Sequence, residues 1–249
     1  MSLIEIEHLS HRFPNGRLGI REIDLTIPEG TFTVIAGPNG SGKTTLLRHL
    51  NGLIRPRTGS VRVDGVSVAD DPRRARRLVG MVFQDADSGI VGETVRDDVA
   101  FGPENLRLPR EEIARRVESA LSVTGLQHLA DQRPHVLSGG EKRRLAIAGV
   151  LAMGARVIVL DEPFSNLDYP STRGVLSAIL DLRRDGRTII LTTHDLEKVI
   201  AHADRLILMA DGRVAADGPP PEILPRTEAF GVRRPCAVRL GGTVESWLS

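Results

Sequence analysis

The sequence predicts an α/β protein built on a parallel sheet with helices on both faces, and three observations predict it. From Arg156 to Gly212 the chain alternates strand-like and helical runs: "RVIVLDEP", "STRGVLSAILDLRRDG", "TIILTTHD", "LEKVIAHA" and "RLILMADG". Apolar strands joined by crossover helices belong to sheets covered on both faces. Upstream, "FTVIAGPNGSGKTTLLRHL" runs a strand into a glycine-rich turn and then into a helix, the setting that a phosphate-binding loop requires. The first third is β-rich throughout, with "LIEIEHL", "IDLTI", "FTVIAG", "SVRVDG" and "VGMVF" bounded by turn residues.

Taken in order, the N-terminal "MSLIEIEHLSHRF" alternates apolar and polar residues and reads as a strand, not as the basic-then-apolar layout of an export signal. The run "RRARR", Arg73 to Arg77, reads as the solvated face of a short helix. "LPREEIARRVESALSVTG" has helical spacing and carries Pro109 near its start. With "EKRRLAIAGVLAM" it makes residues 85–153 a mainly helical insertion in an α/β core formed by 1–84 and 154–217. The tail, 218–249, is rich in Pro and Arg, carries no motif and is expected only to pack against the core.

Composition limits the partners. In 249 residues, 33 basic side chains face 32 acidic ones, so no global field draws the chain to nucleic acid or an anionic membrane, and no nucleic-acid partner is expected. The single cysteine, Cys236, excludes an internal disulfide and fits a reducing compartment. The longest apolar stretch, Leu145 to Met153, is far shorter than the roughly 20 residues of a membrane helix. Any membrane role therefore needs another chain to supply the span. Only Lys43, Lys142 and Lys198 are lysines.

Several motifs carry chemistry. In "GPNGSGKT" the glycines Gly37, Gly40 and Gly42 let backbone N–H groups turn inward, Lys43 reaches terminal phosphates, and Thr44 binds magnesium. "VIVLDE" ends an apolar strand in two carboxylates: Asp161 would hold the magnesium, directly or through water, and Glu162 would orient and polarise an attacking water. Gln84 and His194 each terminate a strand, Gln84 as a magnesium and water contact and His194 as a donor to the terminal phosphate. In "LSGGE", Ser138 as a helix cap, with Gly139 and Gly140 leaving the backbone bare, forms a second anion site at a helix N-terminus.

"GPNGSGKT", Gln84, "LSGGE", "VIVLDE", "SNLD" and His194, in that order over about residues 3 to 217, resemble the nucleotide-binding subunit of ATP-binding-cassette (ABC) proteins. The resemblance implies a P-loop NTPase (RecA-like) parallel-sheet core, an N-terminal antiparallel β subdomain and an inserted α-helical subdomain. It implies ATP and Mg2+ held by Gly37, Asn39, Gly40, Ser41, Gly42, Lys43, Thr44 and Thr45. Ser138, Gly139 and Gly140 would close, head to tail, over ATP held by a second subunit, a copy of this chain or a paralogue. Asp168 of "SNLD" would carry communication between the two sites, and Phe13 would stack on adenine.

Within the insertion, "TVRDDVAFGPENLRLP" and "EKRRLAIAGVLAM" are similar to the ATPases of energy-coupling factor transporters, which import vitamins and transition-metal ions. That likeness implies a peripheral ATPase at the cytoplasmic face of a membrane, working with an integral membrane scaffold and a substrate-binding subunit, with a biotin-like vitamin, cobalt or nickel as cargo. The segment "DADSGIV" departs from these ATPases, which commonly carry Pro where this chain has Ala86 and Gln where it has Gly89. A soluble ABC ATPase, such as one that assembles iron–sulfur clusters, and an ATPase of another transporter class are the alternatives.

Overall fold

The computed structural model describes residues 2–248, and the strands among them form two sheets. In the first, β1 (Ser2–Arg12), β2 (Leu18–Pro28), β4 (Thr58–Val63) and β5 (Val66–Ser67) are ordered β2-β1-β4-β5, with every pairing antiparallel. The second contains β3 (Phe32–Ala36), β6 (Val79–Val82), β7 (Val157–Asp161), β8 (Thr188–Thr193), β9 (Arg205–Ala210) and β10 (Arg213–Gly218). Its order is β10-β9-β3-β8-β7-β6, parallel except for the β9–β10 hairpin.

The parallel sheet is apolar on both faces because successive side chains of a strand point opposite ways. Ile158 and Leu160 of β7 join one core, with Ile189 and Leu191 of β8 and with α6 (Tyr169–Arg184). Val157 and Val159 join the other, shared with α1 (Lys43–Leu50) and the antiparallel sheet. Helix α6 starts where Asp168 accepts the Ser171 N–H at 2.9 Å, with Pro170 in its first turn, and it buries Thr172, Val175, Leu176, Ile179 and Leu182 at helical spacing. Asp71 caps α2 (Pro72–Leu78) by accepting the Arg74 N–H at 2.9 Å; the four arginines of "RRARR" are exposed while Ala75 is buried.

Residues 85–153 hold α3 (Val95–Asn105), α4 (Arg110–Val123) and α5 (Gly139–Ala152), which pack around a third core of Val95, Val99, Val117, Leu121, Leu145 and Ala148. No helix among the described residues is long and apolar enough to cross a membrane. The tail turns through α7 (Pro220–Ile223) and α8 (Cys236–Arg239) and lays Ile223, Leu224, Val232, Val238, Val244, Trp247 and Leu248 on the main core.

One expected helix does not form. "LEKVIAHA" becomes turns and a short 3₁₀ segment, Ile200–His202. Asp195 accepts the Glu197 N–H at 3.1 Å, a local side-chain bond that competes with a helical start, and Asp204 already accepts the Phe32 N–H at 2.8 Å at the far end. The link between the last parallel strands is thus held by burial of Leu196, Val199 and Ile200 instead of a helical ladder.

Helix α5 reaches the parallel sheet by close approach: a Cβ on Gly80 of β6 would lie 2.0 Å from Val150 Cγ1 and 3.1 Å from Ala155 Cβ. Gly80→Ala is expected to destabilise the protein by about 1–3 kcal/mol, and adding Val150→Ala should recover most of that loss. Denaturant unfolding of the single and double variants measures the coupling.

Candidate functional site

The turn between β3 and α1 places its crest, Asn39 and Gly40, in solvent and its base under cover. Gly42 caps α1 at φ +102°, a left-handed conformation, and a Cβ there would meet the Gly19 carbonyl oxygen at 2.6 Å. Gly37 is equally closed, since its Cβ would lie 2.3 Å from the Met209 carbonyl oxygen. No side chain caps α1, so its first N–H groups and the positive end of its dipole face the turn. Ser41 is buried and its Oγ has no hydrogen-bond partner. Lys43, only 6% exposed, curls back so that Nζ donates to the carbonyls of Gly37 at 2.7 Å and Pro38 at 3.2 Å.

Across the turn, β7 ends in Asp161 and is followed by Glu162, both buried. Thr192 of β8 donates its hydroxyl to Asp161 Oδ1 at 2.7 Å, and the Glu162 N–H donates to Thr192 Oγ1 at 3.1 Å. Glu162 itself has φ +49°, an unfavourable conformation for a side chain with a Cβ that persists only where its surroundings over-determine it. That twist directs the carboxylate between the Lys43 ammonium and the His194 imidazole. Oε2 accepts from His194 Nδ1 at 2.9 Å, and Oε1 lies 3.5 Å from Lys43 Nζ. At that separation the lysine contact is ionic without being a hydrogen bond, and Oε1 has no hydrogen-bond donor.

A cavity of about 360 Å³ joins these groups, lined by Phe13, Arg17, Asn39 to Thr45, Gln84, Glu162 and His194. A second cleft of about 580 Å³ shares Thr44 and Gln84 with it and is walled by Asp161, Gly139 and Arg143. Thr44, Gln84 and Asp161 thus border one space and each offers an oxygen ligand, and among the described residues no group of three or more His, Cys, Asp or Glu is placed to hold a metal ion. Such a set suits magnesium, which keeps waters and phosphate oxygens and takes few protein ligands.

Phe13 is half-buried at the edge of the first cavity, with its ring edge-on to His11 at 4.8 Å. His11 stands 5.1 Å from His49, whose Nδ1 bonds the Thr45 carbonyl at 2.7 Å. Burial is the main cause that lowers the pKa of both histidines, with Arg57 adding to it at His11. The edge-on rings therefore tie Phe13 to α1.

Ser138, Gly139 and Gly140 are not among the residues lining the cavity around Lys43. Ser138 caps α5 in a reciprocal box, its N–H and hydroxyl each 2.7 Å from Glu141 Oε2 and its Oγ accepting the Glu141 N–H at 3.3 Å. These bonds hold the Glu141 carboxyl below the usual range. Gly140 touches α6: its Cβ would lie 2.6 Å from Ser171 Cβ, so the Ser138 turn and the Asp168 cap are packed together.

Two contributors have no signal in the sequence. Arg143, 4% exposed, donates to the Phe83 and Gln84 carbonyls from α5, the latter at 2.6 Å; burial lowers its pKa, while Asp85 and Asp161 oppose that shift. Lys142 beside it pairs with Asp87 at 2.6 Å. In a chain where nearly every cation is arginine, "KRR" after a helix start looks like an exposed face. Thr192 is the other, hidden in the apolar run "TIILTTH".

The sequence model of the ABC transporter family matches residues 20–165, more than half of the chain. Among curated relatives, the energy-coupling factor transporter ATP-binding protein EcfA of Methanocaldococcus jannaschii is 41% identical over 233 residues, covering 92% of this chain and 84% of the relative. Among solved structures, CbiO1 of Clostridium perfringens, part of the ABC transporter complex CbiONQ, superposes with a TM-score of 0.83 at 36% identity over 92% of both chains. An ATP-binding cassette solved as a dimer in a post-hydrolysis state with ADP and Pi gives a TM-score of 0.77 at 28% identity, over 87% of this chain and 98% of the other. A phosphate-shaped turn faced by a buried glutamate, on a fold shared over most of its length with these proteins, makes this chain an ATP-binding, ATP-hydrolysing member of the ABC transporter family.

Proposed function

We propose that the chain is the ATPase of an energy-coupling-factor-type importer, acting as a dimer at the cytoplasmic face of a membrane. The observation that carries the reading is Glu162, buried at the rim of the phosphate turn between Lys43 and His194. Lys43 and the N–H groups at the start of α1 bind the terminal phosphates. Thr44, Gln84 and Asp161 hold Mg2+, which neutralises phosphate charge. Glu162 orients and polarises water. Since its carboxylate accepts from Nδ1, His194 keeps Nε2 for the γ-phosphate, to which it donates when protonated. Phe13 supports the adenine ring.

The role of a second subunit is supported by the position of Ser138 outside the cavity at Lys43. Ser138 is exposed on α5, outside the cavity of its own chain's Lys43, and is assigned to ATP held by a partner. Gly139, exposed, leaves the backbone open to that approach, Gly140 is buried against Ser171 of α6, and Asp168, which caps that helix, meets the partner's site. Whether the partner is a second copy or a paralogue, each interface uses one chain's turn and the other's α5.

The membrane scaffold is assigned to a groove of about 190 Å³ between the Gln84 segment and the helical unit, lined in part by Phe83, Ile90, Val91, Phe101, Val150 and Met153. Val91 and Phe101 are 58% and 51% exposed, an apolar surface suited to a helix of a membrane subunit. The cargo, a vitamin or a transition-metal ion, is recognised by the membrane-embedded subunits. The transporter names of the relatives favour this reading over a soluble assembly ATPase.

Glu162→Gln is expected to lower kcat by about two to four orders of magnitude while ATP-dependent dimers still sediment. Monomers at saturating ATP would sink the sandwich. Lys43→Ala should weaken ATP binding about tenfold or more, read by equilibrium dialysis. For Phe13→Ala, ATP should bind several-fold more weakly and inorganic triphosphate unchanged, because only the base loses its stacking partner; equal losses would remove Phe13 from the site. Phe101→Glu should abolish co-purification with membrane subunits from detergent-solubilised host membranes and leave the ATP-dependent dimer intact.

A further inference from the structure

Two loops of the proposed site, the one running from Glu162 to Asp168 and the turn that carries His194, face each other across a cavity of about 160 Å³, lined by Ser165, Asn166, His194, Asp195 and Lys198 among others. Few bonds cross it. Beyond the Glu162–His194 contact, the spacing of these loops depends on what packs outside them, because residues 195–202 have turns in place of a helix.

What packs there is the segment 236–248. The ring of Trp247 lies 5.3 Å from that of Tyr169, the first residue of α6 and the neighbour of Asp168. On the other side, Lys198 Nζ stands 6.0 Å from the same indole and 3.2 Å from Asp195 Oδ2, one residue beyond His194. The tail is itself pinned to the His194 segment: Ser246 Oγ bonds His202 Nε2 at 3.0 Å, and the Cys236 N–H donates to Glu197 Oε2 at 2.7 Å. Val244 and Leu248 add apolar packing. One indole therefore touches the start of the helix capped by Asp168 and the turn that begins at His194.

We propose that residues 236–248 act as a strap, with Trp247 as a positioning residue that sets the distance between the Asp168 loop and His194. The roles of those two residues come from the function proposed above; the strap is an addition to it. Closure on nucleotide shifts both loops, so the indole that bridges them changes its surroundings. Because a tilted aromatic pair and a cation over a ring have definite geometry, Trp247 transmits loop spacing and does more than cover the core.

The chain supplies its own probe, since Trp247 and Tyr169 are its single tryptophan and single tyrosine. Excitation at the red edge, where tyrosine does not absorb, reports Trp247 alone. ATP with Mg2+ is titrated into the Glu162→Gln chain, and bound nucleotide, oligomeric state and emission are measured on the same samples. The expected result is an emission change that tracks bound ATP and is absent in Lys43→Ala. Bound ATP with unchanged emission overturns the strap. Absence of dimers overturns the sandwich, and the emission change then decides the strap within one chain. In turnover assays Trp247→Ala should lower kcat about tenfold with KM altered less than about twofold, and Trp247→Phe should restore most of it. Lys198→Gln, which leaves the tail's apolar packing in place, should lower kcat in the same direction. Wild-type kcat in both Trp247→Ala and Lys198→Gln overturns the proposal.

Discussion

The arrangement depends on a carboxylate held under a phosphate turn between two basic groups. Glu162 can occupy that place only because it follows β7 as a left-handed residue whose N–H is caught by Thr192 on the next strand. Removing an ionised carboxylate from water is costly unless it is paired, and Lys43 and His194 provide the pairing from two different strand ends. The parallel sheet is what brings those ends to one edge. With β3, β7 and β8 adjacent in it, the turn, the acids and the histidine arrive together without any long loop.

The same edge is coupled to the helical unit by a buried cation. Arg143 reaches from α5 to the carbonyls of Phe83 and Gln84, so the segment that leaves β6 cannot move independently of the helix whose cap is Ser138. Gly80 permits that helix to approach β6 closely. A force applied at the apolar groove beside Phe101 therefore meets a rigid body, α5, whose N-terminus is the proposed second anion site. Packed elements of this kind transmit displacement because they resist deformation.

Much of this was legible in the sequence where local chemistry and position coincide. "GPNGSGKT" between strand and helix, and "VIVLDE" as an apolar strand closed by acids, need no tertiary information beyond their neighbours. Ser138 and Glu141 announce their capping box at a spacing of three. What was not legible is decided by burial. Arg143 and the exposed arginines of α2 have the same letter and similar company, and only packing separates a cation that braces a loop from one that meets water. The "LEKVIAHA" segment has helical composition, but Asp195 and Asp204 claim its ends for other hydrogen bonds. The β9–β10 hairpin is different: its two-residue Asp211-Gly212 loop, with φ +49° and +77°, is a local turn signal that the sequence does carry.

The tail extends this logic. A Pro- and Arg-rich end with no motif acquires meaning only through what it touches, and it touches the one stretch between β8 and β9 that lacks its own hydrogen-bonded ladder. The internal bonds of that stretch are local turns, Val199 and Ile200 N–H to the Leu196 carbonyl and Ala203 N–H to the Ile200 carbonyl, so its position over the site also depends on external contacts. His194 sits at the start of that segment and needs a fixed distance to Glu162, whereas Asp168 opens a helix that is rigid in itself. An indole shared between the yielding side and the rigid side references the first to the second. The fold therefore locates His194 by two routes, through Glu162 inside the site and through Trp247 outside it, and the second route is the one that nucleotide does not touch.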